Sequence, residues 1–159
     1  MNFNLKKCYI LSIQPSSNFI STLCNTPIDN VQSNPSLRIL LSNNLKWGPH
    51  IGAITKRANS TLVFLHRNLR FCPTPSKRNA YLAHVRAVLE YGAIIWNPYL
   101  KQDIDKIEQV QRFIARFITG DYTTRTPGSI IEMLHKLDLP PLQERRRQVH
   151  LTFFSLKGG

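Results

Sequence analysis

Apolar residues fall at steps of three and four along most of this chain, in runs cut short by proline and glycine. That spacing constrains the fold most, because it gathers apolar side chains on one face of an α-helix and on neither face of a strand. In the first run, Ile51, Ile54, Ala58, Leu62, Leu65 and Leu69 follow Pro49. Proline suits a first helical turn, where its missing N–H has no partner to lose. Lys56, Ser60, Val63, Arg67 and Arg70 fall on a different stripe, so this helix joins an apolar face to a partly basic one.

Phe71-Cys72-Pro73-Thr74-Pro75-Ser76 breaks the pattern, with two prolines to stop one helix and Ser76 to cap the next. The second helix is expected from Lys77 into the Tyr91–Trp96 region, with Tyr81, Leu82, Val85, Val88 and Leu89 as its core face. A third is expected from Gln102 to Thr119, with Ile104, Ile107, Val110, Ile114, Phe117 and Ile118 inward. Asp103 and Asp105 suit its first turn, Glu108 and Arg112 have ion-pair spacing, and Gly120 suits its C-terminal cap. Asp121 to Gly128 reads as a loop, and Ser129 with Glu132 as a capping box opening a short helix through Lys136. Pro140-Pro141 separates it from a last helix, Leu142 to Leu156, which carries Arg145-Arg146-Arg147.

Residues 1–36 are rich in Asn and Ser and lack a sustained period, which predicts a poorly ordered or unrelated segment. The apolar run from Ser36 to Ser42 predicts one short strand. The expected fold is all-α: a small bundle of about five helices over 37–156, with a short strand and a loose N-terminal tail. The 159 residues and 42% hydrophobic content suffice for one modest core. No stretch approaches the roughly 18–20 apolar residues of a membrane span. The cysteines, Cys8, Cys24 and Cys72, are odd in number and widely spaced, which fits a reducing compartment and an intracellular (nuclear or cytoplasmic) protein.

Charge is the second informative feature. The formal net charge is +12, and no acidic residue occurs between Asp29 and Glu90. That interval carries Arg38, Lys46, Lys56, Arg57, Arg67, Arg70, Lys77, Arg78 and Arg86. A run of uncompensated positives attracts a polyanion, and nucleic acid fits better than an anionic membrane because the cations are not confined to one strongly amphipathic helix. The candidate contacts are Lys56, Arg67 and Arg70, then Arg57, Lys77 and Arg78. Arg145, Arg146 and Arg147 either join them or bridge to neighbouring helices.

Catalytic signals are weak. Asp103 and Asp105, two residues apart on a helix, point to different faces and do not converge on a metal pair. His50, His66, His84, His135 and His150 lack short ligand spacings, and no Cys-x-x-Cys occurs, so no metal site is expected. The scattered glycines form no phosphate loop, Cys72 has no legible catalytic partners, and no cofactor is implied. Trp47, Trp96 and Tyr91 are expected in the core rather than as stacking platforms.

Several segments resemble non-LTR (LINE-type, jockey-like) retrotransposon reverse transcriptases. Asn43-Asn44-Leu45-Lys46-Trp47-Gly48-Pro49-His50-Ile51 resembles the family's s-x-L-x-W-x-x-H-I stretch, and Lys56 to Leu69 is similar to its k-A-n-x-x-L-g-f-L-r-R-n-L. Val85 to Pro98 resembles V-R-x-x-L-E-Y-a-x-x-x-W-x-P, and Ile104 to Gly120 resembles I-d-x-l-E-x-V-Q-r-x-a-a-R-f-i-t-g. Leu142-Gln143-Glu144-Arg145-Arg146 matches L-x-x-R-R. Val63 stands where the family often has Gly, and His66 where it often has a basic residue. The resemblance implies a helical thumb and linker that hold a primer–template duplex. It also implies a truncated copy without the catalytic palm, and therefore no polymerase activity of its own. Two other functions fit the residues: a basic nucleic-acid-binding or interaction module unrelated to polymerases, and a non-functional open reading frame.

Overall fold

The computed structural model describes residues 4, 8–13, 21–23, 25–124 and 126–156. It divides into two compact units, residues 1–50 and 51–159.

In the first unit, the expected single strand is replaced by short pairings. Strands β1 (Tyr9–Ile10) and β4 (Asp29–Asn30) pair in parallel, and β2 (Thr22–Leu23) pairs antiparallel with β3 (Thr26–Pro27). The longest pairing is a hairpin of β5 (Ser33–Ser36) and β6 (Ile39–Ser42), with Ser36 opposite Ile39 and Ser33 opposite Ser42. Leu37 and Arg38 form its two-residue turn with φ of 49° and 65°. Two left-handed residues match the right-handed twist of a tight hairpin, but a Leu-Arg pair holds them at a steric cost that Asn-Gly avoids. Polar residues dominate β5, so only β6 shows an apolar pattern that sequence can register; Ile39 is buried. Of the expected N-terminal tail, residues 1–3, 5–7, 14–20 and 24 lie outside the described residues. The hairpin is tied to His50, whose Nδ1 accepts the Leu40 N–H at 3.2 Å. Burial lowers the His50 pKa and favours the neutral ring that this bond requires.

The second unit is helical. Helix α1 (Gly48–Asn68) begins at the end of the first unit; of its expected apolar stripe Ile51, Ala58, Leu62 and Leu65 are buried, Ile54 is half-buried, and Leu69 is half-buried past the helix end, while Lys56, Ser60, Val63 and Arg67 are exposed. Helix α2 (Thr74–Tyr81) starts earlier than expected. Pro73 occupies the N-cap position, Pro75 lies in the first turn, and no side chain, Ser76 included, caps the end. One π-helical turn (Leu82–Arg86) carries the rod into α3 (Ala87–Glu90). The rod ends at Glu90 rather than near Trp96. Gly92 adopts a φ of 66°, and the chain folds back so that Trp96 Nε1 donates to the Tyr91 carbonyl at 2.8 Å. That turn buries Trp96 completely and leaves Tyr91 half exposed, against the expectation that both are core; Trp47 is half-buried.

Helix α4 (Lys101–Thr119) is the central rod and packs on α2, α5 (Ser129–Lys136) and α6 (Leu142–Leu156). Ile107, Val110, Ile114, Phe117 and Ile118 are buried along it, with Gln111 among them. The Gln111 amide reaches the Leu139 and Pro140 carbonyls at 3.1 and 2.9 Å, satisfying backbone acceptors where prolines prevent helix. Gly120 closes α4 in the left-handed conformation (φ 74°), as its position predicts.

Two expected local pairs do not form. Glu108 does not meet Arg112; its Oε1 accepts the Gln143 N–H at 2.8 Å, supplying an acceptor at the start of α6, while Arg112 approaches Asp105 at 4.0 Å. The Ser129–Glu132 capping box is absent, because Gly128 holds the N-cap position at a φ of 91° and Ser129 already lies inside the helix. No helix among the described residues is long and apolar enough to cross a membrane.

Candidate nucleic-acid interface

The apolar stripe of α1 turns inward, so its opposite stripe presents Lys56 and Arg67 to solvent; Arg57 is exposed beside them. Lys56 and Arg67 are three turns apart, about 16 Å along the axis at 1.5 Å per residue. After Asn68 the chain makes a short turn before Pro73, and Lys77 follows in the first turn of α2. This sharp reversal places Arg70 and Lys77 on the same cleft.

The far wall comes from the end of α4. The His66 and Phe117 rings lie 5.0 Å apart and tilted, and Lys77 Nζ sits 5.0 Å from the Phe117 ring centre. Gly120 reverses the chain and returns Tyr122, whose hydroxyl is 3.3 Å from His66 Nε2 and whose carbonyl accepts from Arg116 Nη1 at 3.3 Å. These residues enclose a cleft of about 380 Å³ lined by His66, Arg70, Lys77, Phe117, Gly120 and Tyr122, with no acid among them. The nearest acid in sequence, Asp121, is turned into its own loop. Thr124, through hydroxyl and amide, and then Thr123 hold its carboxyl down at about 2. Asp121 lines a neighbouring cavity of about 570 Å³ with Thr124, Ser129 and Glu132.

Cations around aromatic rings suit a nucleic acid, since the charges meet phosphates and the rings meet sugars or bases. Phe71 adds to this surface. It is 94% exposed, and the Arg70 guanidinium lies 5.6 Å from its ring centre. An aromatic side chain so bare lies outside the core and is accessible to a stacking partner.

The structure separates the sequence-derived candidates. Lys56, Arg57, Arg67 and Arg70 are exposed and have no ion pair among the described residues, and Lys77 is half-buried against Phe117. Arg78 is tied down: its Nε donates to the Leu137 carbonyl at 2.6 Å and its Nη2 meets the Asp138 carboxylate at 3.0 Å. Arg145 grips both oxygens of Glu90 at 2.5 and 3.1 Å. Arg146 is buried over Trp96, whereas Arg147 is exposed and lies 3.8 Å from Glu144.

His66, Phe71, Phe117 and Tyr122 are the members that sequence reasoning missed. Phe117 is expected in the core and is indeed buried, and it also lines the cleft. The available signal was an aromatic two residues beyond a helix-ending glycine.

The candidate carboxylates have separate surroundings. Asp103 is buried with Lys106 Nζ at 3.1 Å, and Asp105 is exposed. Among the described residues, no group of three or more His, Cys, Asp or Glu side chains is placed to hold a metal ion. No family model matches this chain, and neither a curated protein nor a solved structure shows similarity to it.

Proposed function

We propose that this chain is the thumb-like, duplex-holding region of a non-LTR, jockey-like retrotransposon reverse transcriptase, acting inside the cell on an RNA-containing duplex without reading its sequence. The observation that carries this reading is the acid-free cleft in which His66, Arg70 and Lys77 surround Phe117 and Tyr122. A thumb needs cations held on a rigid apolar frame, because phosphate contacts position a duplex without reading it. An A-like duplex offers the wide, shallow minor groove that a helix face such as that of α1 can track. The ordered family-like segments over 43–156 support the same assignment.

In this proposal Lys56, Arg57, Arg67, Arg70 and Lys77 make the first contacts. Arg78 and Arg145 hold the frame. Nucleotide addition is not a task of these residues, and no metal or other cofactor takes part in the holding.

The test is a filter-binding titration of an RNA–DNA duplex across salt. The expected result is measurable affinity at about 50 mM salt, with log K falling by about 0.9 per phosphate neutralised for each tenfold rise in salt. No affinity there, or a flat salt dependence, overturns the proposal. Primer extension with Mg²⁺ is a second check, and incorporation abolished by Asp103→Asn or Asp105→Asn would make the chain an enzyme.

A further inference from the structure

Arg146 is 1% exposed, and its guanidinium lies 5.6 Å from the centre of the Trp96 ring. None of its three nitrogens has a hydrogen-bond partner among the described residues. A guanidinium carries five N–H donors and stays charged, so burying it without an acceptor is costly even over an aromatic face. Neither nearby carboxylate, Glu90 or Glu108, hydrogen-bonds it. Both oxygens of Glu90 bind Arg145, and Glu108 Oε1 accepts the Gln143 N–H. Desolvation lowers the Arg146 pKa, with Glu108 and Glu90 opposing the effect from a distance.

Arg146 also lines a cavity of about 240 Å³ with Arg147, His150, Gln143 and Asn97. The Nε2 of His150 is likewise buried and has no hydrogen-bond partner among the described residues. Among the described residues no acid lines this cavity, although the Glu144 carboxylate lies 3.8 Å from Arg147. Its volume is below the roughly 300–1,000 Å³ of sites for drug-sized ligands, so it suits a small group. Its lining is rich in donors and cations, so it suits an anion.

We propose that this cavity is an oxyanion site that takes a phosphate group, with Arg146 as its buried fork and Arg147 and His150 as flanking donors. A planar guanidinium offers parallel N–H donors to two oxygens of one phosphate, which a point charge cannot do. Two arginines and a histidine match a dianion better than the single charge of a carboxylate. The source is either free phosphate or the terminal phosphate of an oligonucleotide, since both present the same tetrahedral group. The site does not rest on the duplex-holding proposal: Ile104 on its wall and Phe117 in the cleft are about 20 Å apart along α4.

The test uses Trp96 fluorescence in the full chain carrying Trp47→Phe, titrated with inorganic phosphate at constant ionic strength. A saturable change is expected, weakened about tenfold by Arg146→Lys, which keeps the charge and loses the fork. His150→Ala and Arg147→Gln, away from the Trp96 stack, are expected to weaken it several-fold and keep the test decisive if Arg146→Lys fails to fold. A 5′-phosphorylated oligonucleotide that displaces phosphate, where its 5′-hydroxyl counterpart does not, identifies a nucleic-acid end as the source. Failure of both to displace it identifies free phosphate. Acetate binding as well as phosphate overturns the phosphate assignment. No response, or one that chloride reproduces (an adventitious ion only), or one unchanged by both rim variants, overturns the site itself.

Discussion

On α1, Lys56, Arg57 and Arg67 stand in water without an ion pair among the described residues. On α6, the three consecutive arginines have three different surroundings. Arg145 is bound to Glu90, Arg146 is sealed over Trp96, and Arg147 is exposed near Glu144. The denser cluster in sequence is therefore the less available one in space. Consecutive helical residues are 100° apart, so a triplet cannot share one face, whereas Lys56 and Arg67, eleven apart, nearly can. Spacing, more than local density, decides which cations form a binding surface.

Removing the aromatic floor of α6 is expected to have the largest effect. Trp96→Ala deletes a fully buried ring, and we expect it to destabilise the helical unit by about 3–5 kcal/mol in a denaturant melt. A loss below about 1 kcal/mol would mean that the Trp96–Arg146 stack is not part of the core.

Charge reversal on the other group is expected to act on binding alone. Arg67→Glu with Arg70→Glu lowers duplex affinity about 10- to 100-fold and flattens the salt slope by about 2, with unfolding free energy changed by at most about 0.5 kcal/mol. A comparable fall in stability would erase the distinction between α1 and α6.

Arg78→Ala sharpens the boundary between binding and frame. Its side chain is 29% exposed and holds the Leu137 and Asp138 carbonyls, so we expect about 1 kcal/mol of destabilisation and little loss of affinity. The opposite pattern would return Arg78 to the binding surface.

The smallest effect concerns the first unit. The folded-state pKa of His50 is lowered by burial, so the unfolded chain takes up the proton first as pH falls through about 6.5. The stabilisation from neutral His50 is present above that pH and is lost below it. The protection of the Leu40 amide, measured relative to its intrinsic exchange rate, should fall on going from pH 7 to about 5. His50→Gln should remove that dependence.

Helix extents were readable where capping and apolar spacing agreed. Gly120 ends α4, and Leu142–Leu156 has its expected bounds. Local pairings and caps fail as guides where another group takes the position. Glu108 serves the Gln143 amide across 35 residues instead of Arg112 four away, and Gly128 displaces Ser129 from its cap. Of the cleft, the cations were legible as charge, but the rings were not. Phe117 follows the same spacing as its core neighbours, and His66 and Tyr122 meet only across 56 residues.

Local pattern was enough to specify amphipathic rods from Gly48 onward and a positive field around them, because three-and-four spacing and net charge are properties of short stretches of chain. The tertiary structure alone decided which cations face water, which brace the frame and which is buried. Those outcomes depend on which rod covers which face and on whether a carboxylate from another element arrives within hydrogen-bond reach, and local periodicity encodes neither.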